Sequence, residues 1–142
     1  MALNKNKSTE DVLQEEFLRE RAAVLGRAGE CVSRALEKLH SIENSLEERM
    51  GRLAEIERLV SQDLTDARNL GQLRRQIVAE VNREISRFNG AREHALRRLY
   101  YLIVTREAMG MRRHHWVDQH YRVPPRKKHL QDGRWTDIPN NA

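Results

Sequence analysis

The side chains best suited to chemistry lie in one histidine-rich stretch near the C-terminal end. Its metal-ligand types are His114, His115, Asp118 and His120. On a helix His114 and Asp118 share one face a turn apart, whereas the other two histidines point elsewhere. Two arginines directly before the stretch also repel a cation. We therefore expect no metal site, and histidines that are exposed or contact a partner.

Other arrangements that could support catalysis are incomplete. Glu37 and His40 have the Glu-x-x-His spacing of carboxylate di-iron bundles, but those bundles need a second such pair, which this sequence lacks. Cys31 lies beside an apolar seam position, where a cysteine acts as a small packing residue. Neither common glycine-rich phosphate loop occurs. These observations predict a protein that is not an enzyme and has no cofactor.

The C-terminal tail, residues 112–142, is the part that suggests a function. From residue 106 onward there are eight basic and four acidic residues, together with aromatic side chains. A buried tryptophan anchor, with arginines paired to carboxylates, is typical of protein docking sites. The predicted partner-binding residues are Arg112, Arg113, Trp116, Tyr121, Arg122, Arg126, Lys127, Lys128 and Trp135.

These features favour a non-enzymatic scaffold or adaptor that binds a protein partner through its tail. The first alternative is a nucleic-acid-binding protein, because basic side chains neutralise phosphates and aromatic rings stack on unpaired bases. The second alternative is a stalk or chaperone-like component of a secretion apparatus, which rests on fold-level analogy alone.

A long helix must position this tail. Apolar residues recur every seven positions through Leu18, Leu25, Val32, Leu39, Leu46, Leu53 and Val60. Such a repeat is typical of the seam of a coiled-coil helix. Ser8 or Thr9 offers the N-terminal cap, and residues 1–7 read as a disordered start.

A second seam continues after a cluster of turn-forming residues at 61–66. It is formed by Val81, Phe88, Ala95, Leu102 and Met109. In an antiparallel hairpin, the sequence numbers of two facing residues always add up to the same value. A value of 127 places Leu39 opposite Phe88. It also places the turn at the 61–66 cluster. A sum of 134 also satisfies the periodicity. We favour the first register, and predict an all-α antiparallel hairpin of coiled-coil type over residues 8–111.

The predicted seam has defects. At a sum of 127, Arg21 faces Arg106, while Arg92 and Arg49 face apolar residues. Such charges either snorkel outward or mark places where the helices separate. The dipeptide Asn89-Gly90 is also a turn signal. Because the seam passes through it unshifted, we favour a continuous second helix over a three-helix alternative.

The apolar stripes of both helices are wider than a two-stranded seam requires. A second copy would cover the surplus, so we expect a homodimer that forms a four-helix assembly. No apolar run approaches the length of a membrane span. The single cysteine and the polar start of the chain favour a cytoplasmic location.

The tail itself is predicted to be irregular. Residues 112–122 could extend the second helix until Val123-Pro124-Pro125 ends it. We expect Arg126–His129 to be a solvated basic cluster. Residues 130–135 carry the Asp-Gly signal of a tight hairpin, which is marginal when isolated, and we expect them to be flexible unless bound.

Overall fold

The computed structural model describes residues 7–62 and 67–131. It contains two long helices, α1 (Thr9–Ser61) and α2 (Ala67–Ala108), and a short helix α3 (His115–His120). The long helices pack against each other, which confirms the prediction of an all-α, hairpin-like fold. The predicted disordered start lies almost wholly outside the described residues. So do residues 63–66 of the turn, the Asp-Gly signal and Trp135.

The start of α1 is fixed by the predicted cap. The Asp11 N–H donates to Ser8 Oγ at 3.1 Å, and the Ser8 N–H donates to Asp11 Oδ2 at 3.2 Å. This reciprocal pair satisfies donors that have no partner within the helix. The Lys7 ammonium, 2.6 Å from the Glu15 carboxylate, lowers the pKa of Glu15.

Helix α2 runs through Asn89 and Gly90 without a break, as the seam spacing predicts. It ends earlier than expected, at Ala108. Gly110 has a φ of +85°, a left-handed conformation that glycine adopts without steric cost. The Met111 N–H bonds the Arg106 carbonyl and the Gly110 N–H bonds the Glu107 carbonyl, both at 2.9 Å. This Schellman arrangement ends the helix, so residues 112–122 do not extend it.

The chain divides into two compact units. The strap unit comprises Ala35–Leu96 with Val123–Ala142, and the α3 unit comprises Met1–Arg34 with Arg97–Arg122. Each unit therefore combines part of α1, part of α2 and part of the C-terminal chain.

Described residues of the strap unit form the following two hydrophobic clusters. Leu39, Ile42 and Phe88 form one, whereas Leu46 and Val81 belong to the other. A register with sum 127 predicts Leu39 with Phe88 and Leu46 with Val81, and the clusters group them in this way. A sum of 134 pairs Leu46 with Phe88, which lie in different clusters. By the same sum of 127 Ile42 faces Ile85, and these two lie in different clusters, whereas Leu53 and Val81, which face each other at a sum of 134, share one. The clusters therefore do not decide between the two registers.

One predicted seam defect is resolved inside the strap unit. Arg49 does not turn into the apolar seam: its guanidinium bonds Ser45 one turn earlier on α1 and lies 3.7 Å from the Glu80 carboxylate of α2. The guanidinium thus has a hydrogen-bond partner and an ion-pair partner, although its buried Nε atom makes no hydrogen bond.

Few apolar side chains of the α3 unit are buried. Among the described residues of this unit, the buried apolar side chains are Val32, Leu102 and Val117, while residues 9–20 of α1 are exposed throughout. Within the described ranges, none of the helices combines the length and apolar character needed to cross a membrane.

Candidate functional site

The structure places the predicted tail residues in two settings. Those that are exposed are Arg112, Arg113, Trp116, Arg122, Arg126 and Lys128. Tyr121 and Lys127 are half-buried, and Trp135 lies outside the described part of the chain. The division follows the two units, since the tail up to Arg122 belongs to the α3 unit and the rest to the strap unit.

In the α3 unit, charged side chains fasten the loop between α2 and α3. The Arg21 guanidinium donates to the Met109 carbonyl, and Arg106 Nη2 donates to the Arg113 carbonyl at 3.0 Å. His114 Nε2 lies 3.1 Å from the Glu107 carboxylate. The predicted Arg21–Arg106 clash is therefore avoided, because both guanidinium groups turn to main-chain carbonyls of the loop.

Helix α3 is held by one face and presents the other. Val117 is buried, and the Tyr121 hydroxyl lies 3.0 Å from where a Cβ on Gly29 would stand. The absence of a side chain at Gly29 thus allows Tyr121 to approach α1 closely. Trp116 is 69% exposed, and its ring stacks loosely on His115, with centroids 5.2 Å apart. Trp116 is therefore a large, mostly exposed aromatic side chain on a helix that Val117 and Tyr121 hold against the protein.

In the strap unit, residues 123–131, here called the strap, lie along α2. Two asparagines of α2 bind its main chain. The Asn89 amide donates to the Lys127 carbonyl, and the Lys127 N–H donates to Asn89 Oδ1, both at 2.9 Å. The Asn82 amide donates to the Leu130 carbonyl at 3.0 Å and accepts from the Leu130 N–H at 2.7 Å. Each asparagine therefore satisfies both main-chain groups of one strap residue.

Further contacts fix the ends and side chains of the strap. Arg92 Nε donates to the Pro124 carbonyl at 2.8 Å, which explains a second predicted defect of the seam. Leu130 is 4% exposed and joins the larger hydrophobic cluster, while Val123 packs on the smaller one. At Leu130 the structure thus differs from the expectation that residues 130–135 are flexible unless bound, while residues 132–135 lie outside the described part of the chain.

Lys127 also departs from the prediction of a solvated basic cluster. Its ammonium lies 4.7 Å from the centroid of the Phe88 ring and 3.8 Å from the Glu43 carboxylate. The neighbouring Arg126, Lys128 and His129 remain exposed. The strap therefore turns one basic side chain inward and leaves the others at the surface.

An open pocket of about 410 Å³ lies beside the strap. Its lining residues are Ala79, Asn82, Arg83, Ser86, Arg87 and His129. Ser86 Oγ and His129 Nε2 are 2.8 Å apart, which joins strap to helix at the pocket wall. Arg87 is paired at 2.9 Å with Glu84, a buried carboxylate. The surface of the pocket is thus mostly apolar, and Arg87, one of its basic lining residues, is already paired with a carboxylate.

The sequence interpretation missed the residues that bind the strap. It considered Asn89 only as half of a turn dipeptide and did not consider Asn82. The usable signal was their spacing of seven positions, which places two amides on one helix face beside the seam.

Within residues 7–62 and 67–131, no three His, Cys, Asp or Glu side chains stand close enough to share a metal ion. Cys31 is a free, half-buried thiol. No protein-family model matches this chain, and no curated protein or solved structure is significantly similar to it.

Proposed function

We propose that this protein is a non-enzymatic adaptor of coiled-coil type, which binds a protein partner through α3 and the loop before it. The observation that carries the proposal is the 69% exposed side chain of Trp116 on a helix held in place by Val117 and Tyr121. Tryptophan and arginine are the residues most enriched at binding hot spots. Arg112 and Arg113 precede Trp116 and are exposed.

In this mechanism Trp116 enters an apolar pocket of the partner. Arg112 and Arg113 pair with carboxylates at the rim of that pocket, where bidentate hydrogen bonds add orientation. Because α3 is already fixed on the protein, little conformational entropy is lost on binding. Arg122, Arg126 and Lys128 add long-range attraction to an acidic surface, and the proposed setting is the cytoplasm.

The test is capture of partners from a lysate of the native host by the full chain, quantified by mass spectrometry. Trp116→Ala is expected to reduce recovery of specific partners roughly tenfold, since loss of an anchor residue exceeds about 1.4 kcal/mol. Tyr100→Ala is the matched control, because Tyr100 is 65% exposed in the same unit. Equal losses for both variants, with unchanged helicity, would contradict the proposal.

We also propose a homodimer formed through the first turns of α1. Leu13, Phe17 and Leu18 are each more than half exposed and continue the apolar stripe of α1. A second copy packed on these side chains in a twofold dimer would remove their apolar surface from water. Sedimentation should give the mass of two chains for the wild type and of one chain for Phe17→Arg. A wild type that remains monomeric at high concentration would refute the dimer.

Nucleic-acid binding is the second candidate, favoured by the pocket lined by Arg83, Arg87 and His129. Phosphate contacts weaken steeply with salt, whereas an anchored tryptophan contact does not. A salt titration of oligonucleotide binding therefore separates the two functions. The secretion-apparatus role stays a prediction from the helical pattern.

A further inference from the structure

Helix α1 carries a second stripe in the α3 unit, beside its apolar seam. The residues of this α1 stripe alternate three and four positions apart, as at a coiled-coil contact, and are Glu10, Leu13, Phe17, Glu20 and Val24. All of them are exposed. Gly29, where the Tyr121 hydroxyl approaches α1, lies about 120° around the helix from Phe17. Tyr121 therefore contacts a different side of α1 and leaves the stripe open.

The last turns of α2 carry a stripe with matching spacing. This α2 stripe consists of Arg98, Tyr101, Thr105 and Ala108. Tyr101 is 59% exposed, Arg98 and Ala108 are also exposed, and Thr105 is half-buried. The seam residue Leu102, by contrast, is buried. The α2 stripe therefore lies beside the seam and is open to solvent in the single chain.

The two stripes are complementary when they run antiparallel. If the sequence numbers of facing residues add up to 118, Phe17 lies opposite Tyr101. In the next layer Glu20 lies opposite Arg98. This register places an aromatic pair beside a pair of opposite charges. Among the described residues, neither Glu20 nor Arg98 has an ion-pair partner within the chain.

The second copy is the occupant that these stripes fit. Within one chain the long helices face each other through buried seam residues such as Val32 and Leu102, while Phe17 is 58% exposed. Since each chain carries both stripes, two copies supply a partner for each of them. Contact between the α1 stripes of two copies is disfavoured, because residues 8–20 contain five acidic residues and one basic residue.

We infer that the homodimer forms by packing the α1 stripe of each copy on the α2 stripe of the other. The two contacts are related by twofold symmetry and give a four-helix bundle in which every helix is antiparallel to both neighbours. The inference rests on the proposed homodimer and adds which surface of the second copy the first turns of α1 contact. Because the contact forms between copies, both stripes are exposed in dilute solution and become buried as the concentration rises.

Two charge-reversal variants of the full chain test the pairing. In a homodimer of Arg98→Glu, and equally in one of Glu20→Arg, both contacts bring like charges together. Sedimentation equilibrium should show that the dimer dissociation constant of each variant is raised about tenfold. In an equimolar mixture both contacts again pair opposite charges, so a heterodimer should form within about threefold of the wild-type dissociation constant. Circular dichroism checks that each variant keeps its helices.

Arg19→Glu is the matched control. It makes the same change of charge as Arg98→Glu at an exposed position next to Glu20, but about 100° away around α1. It should change the dissociation constant less than about threefold.

Disulfide trapping tests the same register without changing the charge. In a Cys31→Ser background, Leu13→Cys is mixed with Thr105→Cys, since these two positions face each other when the numbers add up to 118. A disulfide requires closely spaced Cβ atoms, so the mixed pair should be trapped between chains in preference to Leu13→Cys with itself.

A wild type that stays monomeric would overturn the proposed homodimer and this pairing together. A wild-type dimer whose affinity Arg98→Glu leaves unchanged would overturn the pairing alone, as would variants that associate no better after mixing. Preferential trapping of Leu13→Cys with itself would show that α1 contacts α1 and would refute the inference. Equal weakening by Arg19→Glu would assign the effect to net charge and would also overturn the pairing.

Discussion

The two units cover the apolar stripes of the same two helices in different ways. The strap unit buries most of the core, including Leu39, Ile85 and Phe88, none of which is exposed to solvent. The α3 unit buries Val32, Leu102 and Val117 and leaves most of the large exposed apolar side chains, among them Trp116 and Tyr101. The same seven-residue pattern therefore produces a closed core in one unit and an accessible surface in the other.

The difference lies in what the C-terminal chain contributes to each unit. In the strap unit an extended segment supplies Val123 and Leu130 to the hydrophobic clusters, and its main chain is satisfied by asparagine side chains. In the α3 unit the short helix α3 contributes Val117 to the buried residues and leaves Trp116 exposed. Wide apolar stripes thus need not be covered by a second copy, because part of the surplus is covered within the chain.

The largest expected effect is the removal of Phe88. Phe88→Ala deletes a fully buried ring and leaves a cavity, which should lower the free energy of unfolding by about 3–5 kcal/mol. Tyr101→Ala removes a ring of similar size from the α3 unit, where it is 59% exposed, and should change stability by less than about 1 kcal/mol. Urea unfolding followed by circular dichroism measures both. Similar losses would mean that the two units do not differ in packing.

The strap provides the next test. Leu130→Ala should cost about 2–3 kcal/mol if the strap is an integral part of the core, since Leu130 is almost fully buried. The neighbouring control is Lys128→Ala, an exposed position expected to be neutral within about 0.5 kcal/mol. Hydrogen exchange of the Lys127 and Leu130 amides should accelerate in the first variant alone. Unchanged protection would show that the strap is held without its leucine.

Two glycines of α1 give the smallest effect and probe the α3 unit. Gly26→Ala enters open space and should stabilise the helix by about 0.5–1 kcal/mol. Gly29→Ala brings the same gain in helix propensity, but its Cβ meets the Tyr121 hydroxyl at 3.0 Å, so Tyr121 must shift. Thermal unfolding should rank Gly26→Ala above Gly29→Ala, and Tyr121 ring resonances should move only in the latter. Equal stabilisation with unmoved resonances would argue against the close contact.

Much of the helical scaffold could be predicted from the sequence because it depends on periodic burial. The seam fixed both long helices and the pairing of Leu39 with Phe88, and Ser8 marked the start of α1. The end of α2 was predicted too late, although Gly110 carried the signal of a left-handed helix terminator. The prediction followed the apolar repeat, which reaches Met109, and did not take into account the left-handed conformation that Gly110 favours.

The strap could not be predicted in the same way, because its attachment depends on main-chain groups that every residue has. The strap sequence therefore has no regular spacing of apolar residues from which its position could be predicted. The sequence did contain a sign of the residues on α2 that bind the strap, because one of them is a charged residue that does not fit the seam. Arg92 faced an apolar position in the helix pairing, and the structure shows its guanidinium bonded to Pro124. A charge that does not fit between two helices can thus indicate a third segment.

Attachment through backbone amides leaves the outward positions of the strap open to mutation. Arg126 and Lys128 can be exchanged for neutral, acidic or phosphorylatable residues while Asn82 and Asn89 keep the chain in place. Over evolutionary time this edge of the protein could change its surface charge, and with it its choice of interaction partners, faster than the core beneath it.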